Sequence, residues 1–387
     1  MFFGRAKYLE AAIQGLENPQ SPYRAFFLVG TRGSGKTVLL HHIADLARER
    51  DWVSCEVHSS HAAERIGSQL GEAISRKRSK VSIAPKITLP DGTSASIFEA
   101  EHETRGNLGH RFLSETLQSA CKSLKRKKGV LIAIDEVQKL SEEDAVEISN
   151  AVQSAKTQGF DVMLVMAGLP RSKERISSFG GCTFLKRTKE FVLKPLTRTE
   201  TKEAFRSLFA KVPEIAVSTD QIDDMAHFSQ GHPYLIQLVG HYIYERIDKL
   251  CGEELGKTIK AVPLGEAELA SSKDEAYQTY REDVLVPVLD ELGEATTAYL
   301  AMLVSTMNEH GIMESGKATA GAMSAASSTK TASTSYFRDR LIKLCVVQSA
   351  GRGKVKFLLP YIPRALAEKE LEINIVDIDE DDWDLEV

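Results

Sequence analysis

Apolar residues in the first 200 positions form short runs that alternate with amphipathic stretches. Runs typical of buried strands occupy residues 26–29, 53–57, 130–134, 161–170 and 184–196. Between the first two, apolar residues recur at helical spacing, as at Leu39, Ile43 and Leu46. Strands that alternate with helices predict an α/β fold with an open, mostly parallel sheet, and helices packed on it as αβα layers.

After residue 196 the pattern becomes helical. Thr197 with Glu200, and Ser218 with Gln221, each have the spacing that closes the start of a helix. Apolar stripes follow both pairs. We therefore predict a nucleotide-binding domain over residues 1–195, a helical lid over 196–265 and a helical connector over 266–290.

A third pattern covers residues 291–367. Residues 297–307 predict an apolar helix, and an Ala/Ser/Thr-rich stretch follows it. Phe337, Leu341 and Leu344 then have the spacing of a buried helical stripe, for which Ser335 is the predicted N-cap. Two strand-like runs joined by AGRG predict a basic hairpin. This order of helices and hairpin is typical of a winged helix-turn-helix. Residues 368–387 form an acidic tail.

Composition narrows the class of protein. The 387 residues are 42% hydrophobic and 27% charged, which is ordinary for a soluble globular chain. No apolar stretch has the length of a membrane span, and the first residues lack the pattern of a secretory signal. Five scattered cysteines suggest neither a zinc site nor a disulfide framework. We expect a cytoplasmic protein without a membrane partner.

Charge is unevenly distributed along the chain. The net charge of −5 includes a net of −9 in residues 368–387, whereas residues 296–367 carry nine Lys and Arg against three acids. A basic module followed by an acidic tail suggests a surface for a polyanion. The tail could mimic DNA and cover that basic surface, or it could dock another protein.

The octet GTRGSGKT at residues 30–37 joins a strand to a helix and matches the phosphate-binding pattern GxxxxGK[ST]. Its glycines allow backbone N–H groups to surround a phosphate at the positive end of the helix dipole. Lys36 would reach the β- and γ-phosphates, and Thr37 would bind Mg²⁺. The predicted nucleotide contacts in this segment are Gly30, Thr31, Arg32, Gly33, Ser34, Gly35, Lys36, Thr37 and Val38.

A second motif ends the strand at residues 130–134. Asp135 and Glu136 follow it directly, where carboxylates face the ligand crevice of a parallel sheet. Asp135 would support the Mg²⁺ together with Thr37, and Glu136 would act as the general base for an attacking water. No guanine-reading NKxD stretch is present. ATP with Mg²⁺ is therefore the predicted ligand, and ATP hydrolysis the predicted reaction.

The chain resembles the AAA+ ATPases, and more narrowly their origin-recognition-like, archaeal-type branch, which overlaps the STAND switch ATPases. The segments that carry the resemblance are FFGRAKYLEAA, GTRGSGKT, LIAIDEVQKL, MAGLP, FVLKPLTRTE and GHPYLIQLVG, in that order. It extends to about residue 367.

The resemblance implies further roles. Arg5 would line the adenine pocket, Pro233 of the GHP segment would pack by the nucleotide, and Arg187 would act as an arginine finger in a homo-oligomer. Two departures are visible. The strand tip that carries a polar sensor in many relatives is Ala167-Gly168 here, and His232 stands where many relatives have an arginine.

The winged helix leaves two functions open. In one, it binds double-stranded DNA through Ser333, Ser335 and Arg338 on the recognition helix and Arg352 and Lys354 at the hairpin tip. The protein would then be a slow switch ATPase that couples its nucleotide state to DNA binding. In the other, it is a signalling or defence ATPase whose winged helix and acidic tail dock a protein. A metabolic nucleotide kinase is a third, weaker interpretation.

Overall fold

The computed structural model describes residues 3–79, 112–123, 127–251, 261–308, 310–315 and 334–369. Its contacts divide the chain into two units. The sheet unit comprises Lys7–Val29 and Lys36–Phe191, and the helical unit comprises Met1–Ala6, Gly30–Gly35 and Val192–Val387. Ser333 and residues 370–387 of the acidic tail lie outside the described residues.

The sheet unit is built on five strands in the order β2-β3-β4-β1-β5. The strands are β1 (Ala25–Val29), β2 (Trp52–His58), β3 (Gly129–Asp135), β4 (Val162–Gly168) and β5 (Lys189–Val192). Strands β2 and β3, β3 and β4, and β1 and β4 pair in parallel. This arrangement confirms the predicted α/β fold with a mostly parallel sheet.

Seven helices accompany these strands in the described part of the sheet unit. They are α1 (Ala6–Glu17), α2 (Lys36–Glu49), α3 (Ala62–Ser79), α4 (Phe112–Ser123), α5 (Glu142–Thr157), α6 (Ser172–Ser178) and α7 (Thr183–Lys186). Phe27 and Ile132 join a buried cluster with α3, α4 and α5. Phe26 instead contacts Phe191, which also meets Tyr8 of α1. Because alternate strand residues point to opposite faces, helices cover both faces of the sheet.

One predicted strand differs from the structure. Residues 184–196 were expected to be extended throughout, but α7 forms a helical turn at its start and β5 takes only four residues. Leu185 and Cys182 are buried in the cluster beneath α5. Burial of these two side chains favours the turn over an extended chain, although the run is apolar enough for either.

The helical unit contains α8 (Arg198–Phe209), α9 (Thr219–Ser229), α10 (Pro233–Cys251), α11 (Glu266–Tyr280), α12 (Val286–Leu292), α13 (Glu294–Val304), α14 (Thr334–Lys343) and α15 (Ile362–Ala367). A π-helical turn at Arg281–Leu285 joins α11 to α12. Both predicted capping boxes are present, at Thr197 with Glu200 and at Ser218 with Gln221. They fix where α8 and α9 begin because each supplies partners for two exposed backbone N–H groups.

Two small sheets complete the helical unit. Strands β6 (Ile215–Ala216) and β7 (Val262–Pro263) pair in parallel. Strands β8 (Ile312–Glu314), β9 (Val347–Ser349) and β10 (Lys354–Phe357) form an antiparallel sheet in the order β8-β10-β9. The hairpin of β9 and β10 was predicted, and the pairing of β8 with it was not. We call residues 294–367, which hold α13 to α15 and this sheet, the terminal module.

Helix α14 begins two residues earlier than an N-cap at Ser335 would place it. Ser335 was expected to be its N-cap, but the helix starts at Thr334, so Ser335 lies within the first turn. Its side chain is outside the described part of the chain. Helix α13 overlaps the apolar helix predicted over residues 297–307, and its Tyr299, Leu300 and Leu303 lie inside the core of the helical unit.

Among the described residues, no helix combines the length and apolar character required to cross a lipid bilayer.

Candidate nucleotide-binding site

The carboxyl ends of β3 and β4 bring polar side chains together in the sheet unit. Lys36, only 6% exposed, is the first residue of α2, and Thr37 follows it. The Thr37 hydroxyl donates a 2.6 Å hydrogen bond to Oδ2 of Asp135, which is 5% exposed at the end of β3. Two residues 98 positions apart in sequence are thus placed in direct contact, as the two sequence motifs require.

Glu136 leaves the strand in a strained conformation. Its φ of 55° is left-handed and precedes a 3₁₀ turn at Val137–Lys139. This backbone costs a non-glycine residue about 1–2 kcal/mol. The Glu136 N–H donates a 2.8 Å hydrogen bond to Oδ1 of Asp135, which offsets part of this cost. The turn directs the Glu136 side chain away from the continuing line of β3.

Gln138 is a polar contact that the sequence analysis did not identify. Its Nε2 donates to Oε2 of Glu136 at 2.8 Å, and its Oε1 accepts from the backbone N–H of Leu169 at 3.1 Å. The Nζ of Lys139 lies 3.5 Å from the same Glu136 oxygen. The sequence signal that could have identified Gln138 is an amide side chain two residues after Glu136. It lies opposite Gly168, a strand end without a side chain.

The first six residues of the octet group with the helical unit. The Arg5 guanidinium donates to the carbonyl oxygen of Ser34 at 3.1 Å and to that of Lys194 at 2.8 Å. Nε2 of His232 donates to the carbonyl oxygen of Arg32 at 3.1 Å. Arg5 is 5% and His232 is 2% exposed. Both side chains therefore hold backbone carbonyls of the loop, a role that sequence reasoning did not assign.

Gly33 shows why this loop is glycine-rich. Its φ is +72°, and a Cβ at this position would lie 2.6 Å from Cε1 of His232 and 2.9 Å from Cβ of Tyr234. Only glycine adopts this backbone without strain and leaves room for the histidine.

Burial, together with a 2.5 Å hydrogen bond to Asp283, raises the pKa of Tyr234 to about 12. Tyr234 is therefore uncharged beside the loop at neutral pH.

The remaining predicted residues are distributed over both units. Pro233 opens α10, and Val38 is half-exposed on α2. Arg187 is exposed at the end of α7. In the terminal module, Arg338 donates to the hydroxyl oxygen of Ser349 at 3.4 Å, and the exposed Arg352 and Lys354 flank the turn of the hairpin. These basic residues do not belong to the cluster around Asp135.

An oxygen pair such as Thr37 and Asp135 suits magnesium. Mg²⁺ takes few protein ligands, prefers hydroxyl, carboxylate and phosphate oxygens, and keeps several waters. The 2.6 Å contact shows that both oxygens reach a common point, beside the lysine that would meet the phosphates. The residues present fit the predicted Mg²⁺.

Comparison with known proteins agrees with this site. Residues 1–165 match the family described as AAA ATPase domain, and residues 282–364 match a domain of unknown function, DUF8462. No curated protein matches the chain significantly. The first match covers the octet, Asp135 and Glu136. Residues 1–165 are therefore similar to an AAA ATPase domain over the segment that holds both motifs.

Two solved structures share the fold. The Walker-type ATPase PABY2304 of Pyrococcus abyssi is 16% identical with a TM-score of 0.63, covering 95% of this chain and 96% of its own. The ADP form of the ORC2 protein of Aeropyrum pernix is 12% identical with a TM-score of 0.52, covering 96% and 93%. At these identities the likeness establishes the α/β P-loop fold and no more.

Proposed function

We propose that the protein binds ATP with Mg²⁺ at the GTRGSGKT octet and hydrolyses it slowly. The observation that carries this proposal is the hydrogen bond between Thr37 and Asp135, which joins the two motifs at the carboxyl edge of the sheet. Lys36, at the start of α2, would bind the β- and γ-phosphates next to this pair. The AAA ATPase match over residues 1–165 supports the same reaction.

The side chains divide the chemistry of hydrolysis among them. Lys36 would hold the phosphates in place, and Thr37 and Asp135 would hold the metal, whose positive charge would lie against the phosphoryl oxygens. Glu136 accepts a proton from the attacking water. The water oxygen bonds to the γ-phosphorus, and the bond between that phosphorus and the β-γ bridging oxygen breaks. The products are ADP and inorganic phosphate.

ATP hydrolysis is tested by phosphate release from the wild-type protein and from Glu136→Gln. We expect slow turnover in the first and a loss of about 10²- to 10⁴-fold in the second, because a general base contributes rate by that order. Binding of a fluorescent ATP analogue should persist in Glu136→Gln and fail in Lys36→Ala. Activity that survives in both variants would exclude this site.

For the terminal module we propose double-stranded DNA as the ligand, bound in a manner set by the nucleotide. The order α13, β8, α14 and hairpin supports a winged helix, in which α14 would be the recognition helix. Arg338 on α14 donates to Ser349 of the hairpin, whose turn carries the exposed Arg352 and Lys354, and the three would form one basic surface. Ser333 and Ser335 would add hydroxyl contacts near the start of α14. Such a surface matches the charge of a phosphate backbone.

Coupling to the nucleotide is supported within the helical unit. Arg5 and His232 bind carbonyls of the octet, and they belong to the same unit as the terminal module. A change in the loop on ATP binding therefore has side chains of this unit to act on. Arg187, exposed beside β5, is proposed as the arginine finger of a homo-oligomer, and the acidic tail as a contact for a protein partner.

Fluorescence anisotropy of a labelled duplex tests the DNA proposal. The protein is titrated without nucleotide, with ADP, and as Glu136→Gln with ATP. We expect affinity to depend on the nucleotide and to fall in Arg338→Ala and Arg352→Ala, with Lys249→Ala on α10 as the charge-matched control. Absence of binding in every state, including a variant that lacks the tail, would favour the alternative in which the module docks a protein.

A further inference from the structure

The last residue of β4 has no side chain. A polar side chain at this position would face the sheet edge where Asp135 and Glu136 lie. Gly168 ends the strand, and a Cβ built on it would lie 2.7 Å from Cγ2 of Val137, 2.7 Å from Oγ of Ser172 and 3.0 Å from Oε1 of Gln138. The space beside this glycine is therefore already filled. Two polar groups help to fill it: the hydroxyl of Ser172, which donates to the carbonyl oxygen of Leu169, and the amide of Gln138, which alone of the two contacts Glu136.

Gln138 makes two hydrogen bonds with opposite polarity. Its carbonyl oxygen accepts the N–H of Leu169, the first residue after β4, at 3.1 Å. Its amide nitrogen donates to Oε2 of Glu136 at 2.8 Å. The amide thus spans from the end of β4 to the carboxylate at the end of β3, and its orientation is fixed because only one assignment of O and N satisfies both partners.

We propose that Gln138 is the positioning residue for Glu136 and takes the place of the polar side chain that Gly168 lacks. This inference rests on the proposed ATP hydrolysis. Anchored on the backbone of Leu169, the amide holds one carboxylate oxygen of Glu136 and leaves the other to accept the proton of the attacking water. Gln138 does not itself accept or donate that proton.

The left-handed backbone of Glu136 makes such an anchor necessary. The Glu136 backbone, at φ of 55°, makes local hydrogen bonds: its N–H donates to Oδ1 of Asp135 and its carbonyl oxygen accepts from the N–H of Lys139. Neither contact fixes the side chain. The Glu136 side chain is 40% exposed, and contact with solvent does not restrict it to a single rotamer. The contact from Gln138 restricts the carboxylate, which is what efficient general-base catalysis requires.

Single-turnover ATP hydrolysis by Gln138→Leu tests the proposal. Leucine keeps the approximate size of glutamine and removes both hydrogen bonds. We expect the rate constant to fall about 10- to 100-fold, the usual loss when a group that orients a catalytic residue is removed. KM and the affinity for ADP should change less than about threefold, because the residue orients the base and does not hold the nucleotide. The control is Gln158→Leu, which changes a glutamine at the C-terminal end of α5.

A double-mutant cycle separates positioning from a structural role. If Gln138 acts through Glu136, then adding Gln138→Leu to Glu136→Gln should lower the residual rate no further. A purely structural residue would lower it again and would reduce the melting temperature. Gln138→Asn, too short to span both partners, should behave like leucine, which provides a second variant if Gln138→Leu does not fold.

Three outcomes would overturn the inference: an unchanged rate in Gln138→Leu, additive losses in the cycle, or loss of ADP binding with the loss of rate. A wild-type protein without ATPase activity would instead refute the proposed function. The two failures are therefore distinguishable in the same set of assays.

Discussion

The carboxyl edge of the main sheet and the hairpin of the terminal module are built differently. Strands β1 and β4 are buried along their full length, and the polar groups that follow β3 make hydrogen bonds of 2.6–2.8 Å. Strands β8 to β10 have three or four residues, and Arg352 and Lys354 are exposed. The first region fixes atoms in place, and the second presents charge to solvent.

The turns in the two regions show the same difference. The sheet edge contains a strained glutamate at φ 55°, held by neighbouring side chains. The hairpin tip uses Gly351 and Gly353, with φ of +121° and +73°, which adopt such backbones without strain. At the sheet edge the strained backbone belongs to the residue proposed as the general base, whereas the hairpin tip turns on glycines. Removal of a single hydrogen-bonding atom should therefore have a larger effect at the carboxyl edge of the main sheet than at the hairpin.

The largest expected effect concerns the carboxyl edge of the main sheet. Asp135→Asn removes the charge that would hold the metal and weakens the contact with Thr37. We expect ATP turnover to fall by about 10²- to 10³-fold, the order seen when one transition-state electrostatic contact is lost. Steady-state phosphate release at saturating ATP measures it. Asp144→Asn, which caps the start of α3 in the same unit, is the control and should retain turnover.

Core substitutions sharpen the comparison through stability. Ile132 in β3 and Leu341 in α14 are both fully buried, so replacement of either by Ala should destabilise its region by about 2–5 kcal/mol. We expect the larger loss for Ile132, because β3 has a paired strand on each side and cannot collapse into the cavity. Urea denaturation followed by circular dichroism measures both. A larger loss for Leu341 would contradict the rigid view of the sheet edge.

The charge-presenting region should respond to salt more than to any single substitution. Arg352→Ala and Lys354→Ala should each weaken DNA binding several-fold for every duplex tested, and each should reduce the slope of log affinity against log salt by about 1. Anisotropy titrations at several salt concentrations measure this slope. An unchanged slope in both variants would mean that the hairpin does not meet the phosphate backbone.

The smallest effect tests whether the helical unit depends on local hydrogen bonds as the sheet edge does. Ser218→Ala removes the cap of α9 and should cost about 1 kcal/mol of unfolding free energy. Thr219→Ala, one residue further into the same helix start and equally exposed, should change stability by less than about 0.5 kcal/mol. Equal losses in the two variants would show that the capping box is not stabilising.

Much of the fold was predictable because its signals are local. Buried strands leave continuous apolar runs, capping boxes mark helix starts, and the octet at 30–37 specifies a phosphate loop by itself. The errors arose where local signals allow two outcomes. Residues 184–186 are apolar enough for a strand and are helical because Leu185 is buried against other elements. Strand β8 is too short to be recognised without its partner β10.

The candidate site divides in the same way. The sequence by itself predicted a nucleotide site with Lys36, Thr37, Asp135 and Glu136, because these residue types at these strand and helix ends serve one chemistry. Only the tertiary structure decided that Gln138 meets Glu136 and Leu169, and that His232 meets the carbonyl of Arg32. These pairs join positions whose proximity depends on the turn after β3 and on the packing of α10. Motif spacing encodes the chemistry along one strand, whereas contacts between separate elements depend on the folded chain.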